Sequence, residues 1–118
     1  MKSLKPFGPS IGLEKLSQAE CDHLMATCDP SLPNANKVLV GLIKEEKSIL
    51  SALEGSDILE HIKDIALDYL NNVDSGFYSK LKPILKSHID FAGAWYNNQK
   101  IYEHQPPHNH IGHSIVVV

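Results

Sequence analysis

The stretch IDFAGAWYNNQKIYEHQPPHNHIGHSIVVV, residues 89–118, decides which kind of fold this chain is expected to adopt. Apolar residues alternate with small or polar ones from Ile89 to Tyr96, and this two-residue period is typical of a β-strand. Asn97-Asn98 then predicts a turn, Ile101–Glu103 a short strand, and His108–Val118 a last extended stretch. The carboxyl-terminal third of the chain is therefore predicted to be β structure.

A helix is predicted upstream, beginning after Ser17. Ser17 is a good N-cap, and Glu20, three residues later, completes a capping box. Asp29-Pro30 ends the helix, because the residue before a proline is pushed out of helical geometry. Apolar residues spaced three and four apart give the helix one face that is expected to be buried: Cys21, Leu24, Met25 and Cys28.

Two further helices are predicted in the middle of the chain. Lys44–Leu53 is rich in helix-forming residues and is followed by Gly55, which interrupts the helix. Ser56 or Asp57 caps the next helix, which is predicted to continue to Asn71-Asn72. Its apolar residues recur with helical period: Ile58, Leu59, Ile62, Ile65, Ala66, Tyr69, Leu70 and Val73.

This order of elements favours an α+β fold in which amino-terminal helices pack on an antiparallel sheet. The length of 118 residues suits a single domain, with residues 1–76 mainly helical and 77–118 mainly β. Prolines and glycines between residues 4 and 16 favour an extended segment or a loop. The apolar run VLVGLI, residues 38–43, is compatible with either a helix or a strand.

Composition limits the classes of partner. The chain has 11 lysines, no arginine, 14 acidic residues and a net charge of -3, so nucleic acid is not an expected partner. No apolar run has the length of a signal peptide or a membrane span, and a cytoplasmic protein is expected. Cys21 and Cys28 would lie about 10 Å apart along a helix, which is beyond the reach of a disulfide, so both are interpreted as reduced core thiols.

Four of the seven histidines fall within ten residues, in EHQPPHNHIGH. On a strand, His108 and His110 would point to one face with Cα atoms about 6.5–7 Å apart, which allows both imidazoles to bind one ion. Imidazole suits iron, zinc, copper and nickel, and two ligands need a third group to form a stable site. His104, His113 and Glu103 are the candidates for that third group. The alternative is a solvated, histidine-rich loop.

The residues Trp95, Asn97, His108 and His110 carry a resemblance to a known family. Their order resembles that of the small 2-oxoglutarate- and Fe(II)-dependent oxygenase-like proteins of bacteriophages and marine microbes. The resemblance implies a double-stranded β-helix, or jelly roll, with Fe(II) and 2-oxoglutarate as cofactors. It also implies that His108 is the first iron ligand, while His110 stands where the wider superfamily has a carboxylate. Zinc or nickel is an alternative metal in the purified protein.

The same resemblance implies parts that this sequence does not contain. The family's distal histidine, and the basic residue that holds the 2-oxoglutarate carboxylate, lie on later strands. A lysine would have to replace the usual arginine, and none follows Lys100. The chain is therefore expected to be the amino-terminal portion of a hydroxylase-type oxygenase, with a partial jelly roll and no activity by itself.

Two other functions remain open from the sequence. One is a cupin-like metal-binding module in which another subunit, or a side chain such as Glu103 or His113, completes the site. The other is a non-catalytic interaction domain whose histidines are incidental. The bare apolar strand at residues 115–118 leads to one of two expectations: either the natural protein continues past Val118, or this strand pairs with a second copy of the chain, giving a homo-oligomer. In the interaction-domain reading, the same strand docks on a partner sheet.

Overall fold

The chain combines α and β structure, as predicted. The structure is a computed structural model, and it describes residues 1–5, 10–35, 41–73, 84–107 and 115–117. Within these ranges there are three α-helices and two antiparallel sheets of two strands each, and they do not amount to a jelly roll. The elements are β1 (Lys2–Leu4), β2 (Ile11–Leu13), α1 (Gln18–Thr27), β3 (Glu46–Ser48), α2 (Leu50–Leu53), α3 (Asp57–Asp68) and β4 (Trp95–Asn97).

The residues group into two compact units. One comprises Met1–Cys21 and Gly55–Phe91, and the other comprises Asp22–Glu54 and Ala92–Val118. The prediction of a single domain stays a prediction. None of the helices in the described ranges has both the length and the apolar character needed to cross a membrane.

In the first unit, β1 pairs with β2, with Lys2 opposite Leu13. The extended chain expected between residues 4 and 16 is thus confirmed at β2, whereas residues 6–9 lie outside the described part. Gly12 is required in β2, because a Cβ there would come within 2.8 Å of the Tyr69 ring. The Tyr69 hydroxyl donates to the Ser10 carbonyl at 2.6 Å, which fixes the ring against this strand.

The capping box of α1 is confirmed. The Ser17 N–H donates to Glu20 Oε2 at 2.7 Å, and the Glu20 N–H donates back to Ser17 Oγ at 3.3 Å. The helix ends at Thr27, close to the predicted stop. The predicted buried face is wrong, because no residue of α1 is buried and Met25 is 72% exposed. Both cysteines are free and half-buried.

The helix α3 follows its prediction closely. Gly55 adopts φ 76° before it, and Ser56 Oγ accepts the Leu59 N–H at 3.3 Å as the N-cap. Three apolar residues of the predicted face are buried. The α-helix ends at Asp68, and a π-helical turn, Tyr69–Val73, follows it directly. The buried residues are Ile58, Leu59 and Ile62.

The helix predicted over Lys44–Leu53 is wrong for its first half. Residues 46–48 form β3, and only Leu50–Leu53 is helical. The backbone of β3 is bonded on both sides, to β4 on one and to residues 33–35 on the other, where Ser48 N–H donates to the Pro33 carbonyl at 2.9 Å. Because these bonds come from distant parts of the chain, they override the local preference for helix.

The β structure predicted between residues 89 and 103 is also corrected. Lys86–His88 is a short 3₁₀ helix, and the only strand in this stretch is Trp95–Asn97. The predicted turn at Asn97-Asn98 falls instead at Ile101-Tyr102, where a second strand was expected. The reason is that β3 is three residues long and offers a partner only to the residues directly opposite it.

The capping box makes the first unit sensitive to acid. Hydrogen bonds from the Ser17 hydroxyl, the Ser17 backbone and His61 lower the pKa of Glu20 from 4.5 to about 2. Because the folded-state pKa is the lower one, this stabilisation is complete above about pH 4.5 and is lost as the pH falls toward 2. Glu20→Gln should therefore flatten the acid limb of the stability curve, measured by urea unfolding between pH 5 and 2. Glu54→Gln, at an exposed carboxylate after α2, is the control and should keep the wild-type limb.

Candidate metal centre

The histidines that carry the metal prediction lie beyond the described part of the chain. His108, His110 and His113 all fall in residues 108–114. Of the five residues named for the site, Glu103 and His104 can be placed. Among the described residues, no group of three His, Cys, Asp or Glu side chains is arranged to hold a metal ion.

Glu103 stabilises the turn at Ile101-Tyr102. Its Oε2 accepts the Lys100 N–H at 3.0 Å, and its Oε1 accepts the Lys44 N–H at 3.4 Å. Its own N–H donates to the Lys100 carbonyl at 3.0 Å. Both carboxylate oxygens therefore already receive backbone donors, and a metal would have to compete with them. His104 is exposed, and its carbonyl accepts the Leu42 N–H at 2.9 Å.

The pairing of β3 with β4 fixes the segment that leads to these histidines. Trp95 lies opposite Ser48, and Asn97 lies opposite Glu46. The ladder continues beyond each strand end, because the Ile49 N–H donates to the Ala94 carbonyl and the Asn98 N–H donates to the Glu45 carbonyl, both at 2.9 Å. The two motif residues Trp95 and Asn97 thus stand on one short, well-bonded strand.

A second set of contacts holds the chain at residues 104 and 105. Gly41 has φ 147°, and a Cβ at this position would lie 2.8 Å from Gln105 Cγ and 3.3 Å from the His104 carbonyl oxygen. Glycine therefore permits both the backbone conformation and the close approach. Together with the Leu42–His104 bond, this contact anchors the chain shortly before His108.

Glu46 is the residue that sequence reasoning missed. It is 1% exposed, and its Oε1 accepts a hydrogen bond from Gln105 Nε2. With its amide oriented to donate, Asn97 Nδ2 reaches the same oxygen at 3.3 Å. Oε2 is buried and has no hydrogen-bond partner among the described residues. In the sequence, Glu46 lies in the charged run KEEK, residues 44–47, which is typical of the solvent-exposed face of a helix. Only the strand register shows that its side chain points inward.

The same unit has an open groove of about 600 Å³. Ammonium groups and exposed apolar side chains line it together. The Lys47 ammonium donates to Asn34 Oδ1 at 2.7 Å, and the Tyr102 side chain is almost fully exposed. The residues that give the groove this character are Lys44, Lys47, Lys100, Leu42, Ile101 and Tyr102.

Comparison with protein-family models, with curated proteins and with solved structures finds no match to this chain. The structure therefore supports only a class: a mixed α and β protein, with two small antiparallel sheets among its described residues.

The pKa of Tyr96 is a measure of the β3–β4 pairing, because this residue of β4 bonds to Glu45, next to β3. Its hydroxyl donates to Glu45 Oε1 at 2.9 Å, and burial followed by this hydrogen bond and the Glu45 charge raises the pKa of Tyr96 to about 12. In a titration to high pH followed by absorbance at 295 nm, a late step near pH 12 is therefore expected as Tyr96 loses its hydroxyl proton. Tyr96→Phe should remove this step, and Glu45→Gln should move it toward pH 10. Tyr102→Phe is the matched control, and a late step that survives in Tyr96→Phe would contradict the assignment.

Proposed function

We propose that this chain presents the first part of a metal site, with His108 and His110 as ligands, in a protein of the Fe(II)- and 2-oxoglutarate-dependent oxygenase type. The fold that accompanies this proposal is a partial jelly roll, of which β3 and β4 would form one edge. The substrate class is an organic molecule that undergoes hydroxylation. The third group is one of Glu103, His104 and His113; of these, Glu103 would have to exchange its hydrogen bonds from the Lys44 and Lys100 N–H groups for the metal, whereas the His104 side chain is exposed.

The anchored segment between Trp95 and Gln105 carries this proposal. It is bonded to residues 45–49 at its start; near its end, the His104 carbonyl accepts the Leu42 N–H, and Gly41 lies close to Gln105. A metal site needs ligands held to within roughly half an ångström, and ligands on anchored backbone meet this demand better than ligands on a free loop. Because His108 follows Gln105 by three residues, this anchoring supports a metal-binding role for the histidines that follow.

The donor chemistry fits iron. Two imidazoles suit Fe(II), Zn(II) and Ni(II), and a non-haem iron site adds one carboxylate. Glu46 is a buried carboxylate of the same unit; its Oε1 accepts a hydrogen bond from Gln105, and its Oε2 has no partner among the described residues. When bound, Fe(II) and 2-oxoglutarate supply the oxidising chemistry of such enzymes, and the role of this chain is to bind and orient the metal.

Metal binding is the first test. The metal-free chain should bind one equivalent of Co(II), a redox-stable substitute for Fe(II), in isothermal titration calorimetry. His108→Ala and His110→Ala should each weaken binding by more than about tenfold, since even residues outside the ligand shell often contribute this much. His23→Ala, at an exposed histidine of α1, is the matched control and should bind as the wild type does.

A second titration tests whether 2-oxoglutarate binds this metal. If it does, millimolar 2-oxoglutarate should tighten Co(II) binding, because linked ligands strengthen one another reciprocally, and this result would favour the oxygenase over the cupin-like module. Equal binding by the wild type and both histidine variants would exclude a site at these residues.

A role in association is favoured by a separate observation. Ile115, Val116 and Val117 are 46%, 79% and 50% exposed, and they belong to neither of the described sheets. Exposed apolar residues in sequence commonly mark a contact with another chain. We therefore propose that residues 115–117 contribute to a homo-oligomer.

A charge at this position should disrupt the oligomer. Val116→Lys should lower the mass measured by light scattering at tens of micromolar, because a buried ammonium in an apolar contact is costly. Ile101→Lys, at an exposed apolar residue of the 101–102 turn, is the matched control and should leave the mass unchanged. A wild-type chain that is monomeric under these conditions would contradict the proposal.

A further inference from the structure

The open groove of the second unit lies between two segments that are bonded to each other at both ends. One segment is residues 42–47 and the other is residues 98–103. At one end the Asn98 N–H donates to the Glu45 carbonyl, and at the other the Leu42 N–H donates to the His104 carbonyl, both at 2.9 Å. These backbone bonds fix the two walls relative to each other, and sites for small molecules are usually preformed in this way.

Three apolar side chains of the groove are exposed. Leu42 is 67% exposed, Ile101 82% and Tyr102 98%. Single exposed apolar residues are common on protein surfaces, whereas several that line one groove commonly mark a binding site. Polar residues are the usual choice for a turn, yet this turn carries Ile101 and Tyr102. The groove therefore offers an apolar surface to a ligand.

Three ammonium groups lie beside this apolar surface, those of Lys44, Lys47 and Lys100. The Lys47 ammonium donates to the neutral side chain of Asn34 at 2.7 Å. Neither of the other two has an ion pair among the described residues. Because an ammonium group has three donors, all three lysines keep donors for an anion.

The two carboxylates of the groove already have other donors. Glu45 accepts from the Tyr96 hydroxyl at 2.9 Å and from Asn98 Nδ2 at 3.0 Å. Glu103 accepts two backbone N–H groups, at 3.0 and 3.4 Å. With three lysines and two glutamates, the lining has a formal charge of +1 in a chain whose net charge is -3. The groove is thus a local positive site on an acidic protein.

We propose that this groove binds a small amphipathic anion, an organic molecule in which a carboxylate, sulfonate or phosphate group is attached to an apolar body. The lysines contact the anionic group, and the exposed apolar side chains cover the body. The volume of about 600 Å³ falls within the roughly 300–1,000 Å³ of small-molecule sites. A protein partner usually covers about 800 Å² with roughly 20–30 residues, far more than this groove provides. The proposal is independent of the metal site proposed above.

A matched pair of fluorescent probes tests the role of charge. Anilinonaphthalene sulfonate has an aromatic body and one sulfonate, and phenylnaphthylamine has the same body without the charge. In fluorescence titrations of the metal-free chain, the sulfonate should bind with one equivalent and more tightly than the uncharged probe. Lys44→Gln combined with Lys100→Gln should weaken the sulfonate roughly three- to tenfold, since each exposed ion pair contributes little, and should leave the uncharged probe unchanged.

The matched control for the lysines is Lys2→Gln combined with Lys15→Gln, at two exposed residues of the first unit. It makes the same change in net charge and should bind both probes as the wild type does. An equal loss of sulfonate binding in the two double variants would overturn the proposal, because net charge alone would then explain the binding.

Tyr102→Ser tests the apolar surface. It should weaken both probes by roughly tenfold, since burying part of an aromatic ring contributes about this much. Leu85→Ser, at a residue of the first unit that is 57% exposed, is the control and should bind both probes as the wild type does. Wild-type affinity for both probes in Tyr102→Ser, or a wild type that binds neither probe, would overturn the proposal.

Two further results would assign the groove to a different occupant and overturn the proposal. Displacement of the sulfonate probe by an acidic pentapeptide with a central tryptophan, more effectively than by the probe's own unlabelled competitor naphthalene sulfonate, would indicate a protein partner. A probe affinity that falls as the protein concentration is raised would indicate a second copy of the chain. The expected results are weaker competition by the peptide and a constant probe affinity.

Discussion

The antiparallel pairing of β3 with β4 is the constraint on which the second unit depends. Three residue pairs and one backbone bond beyond each end join chain segments about fifty residues apart in sequence. Closing a loop of this length costs conformational entropy, and the pairing must offset it with hydrogen bonds and buried side chains. Ile49 and Leu53, which follow β3 directly, are buried and belong to the core of this unit.

The pairing also determines where polar groups go. Adjacent residues of a strand point to opposite faces, so the acids Glu45 and Glu46 meet different surroundings. Glu45 bonds to the Tyr96 hydroxyl and to Asn98, and Glu46 is enclosed with Gln105. Two identical side chains in consecutive positions thus differ in burial: Glu45 is half-buried, and Glu46 is buried. Among the described residues, Glu46 is the one buried polar or charged residue, and it lies in the same unit as the segment that leads to the histidines.

The features of the first unit that the sequence predicts correctly are set by local interactions. The Ser17–Glu20 capping box and the Ser56 cap of α3 join residues three apart, and the buried face of α3 repeats with helical period. Such features are visible in sequence because all their parts lie within one or two turns. The apolar residues of α1 form a similar pattern, yet none of them is buried, since a periodic face specifies an orientation but not a partner to cover it.

The sequence by itself determined the mixed α and β class, the start of two helices, the extended conformation at Trp95 and Tyr96 and the clustering of histidines around residue 108. Only the tertiary structure decided that Glu46–Ser48 is a strand, that Ile101-Tyr102 is a turn, and that Glu46 is buried beside Gln105. The physical reason is the range of the interactions. Caps and helical faces are set by neighbours in sequence, whereas a three-residue strand exists only because a distant segment supplies its hydrogen bonds.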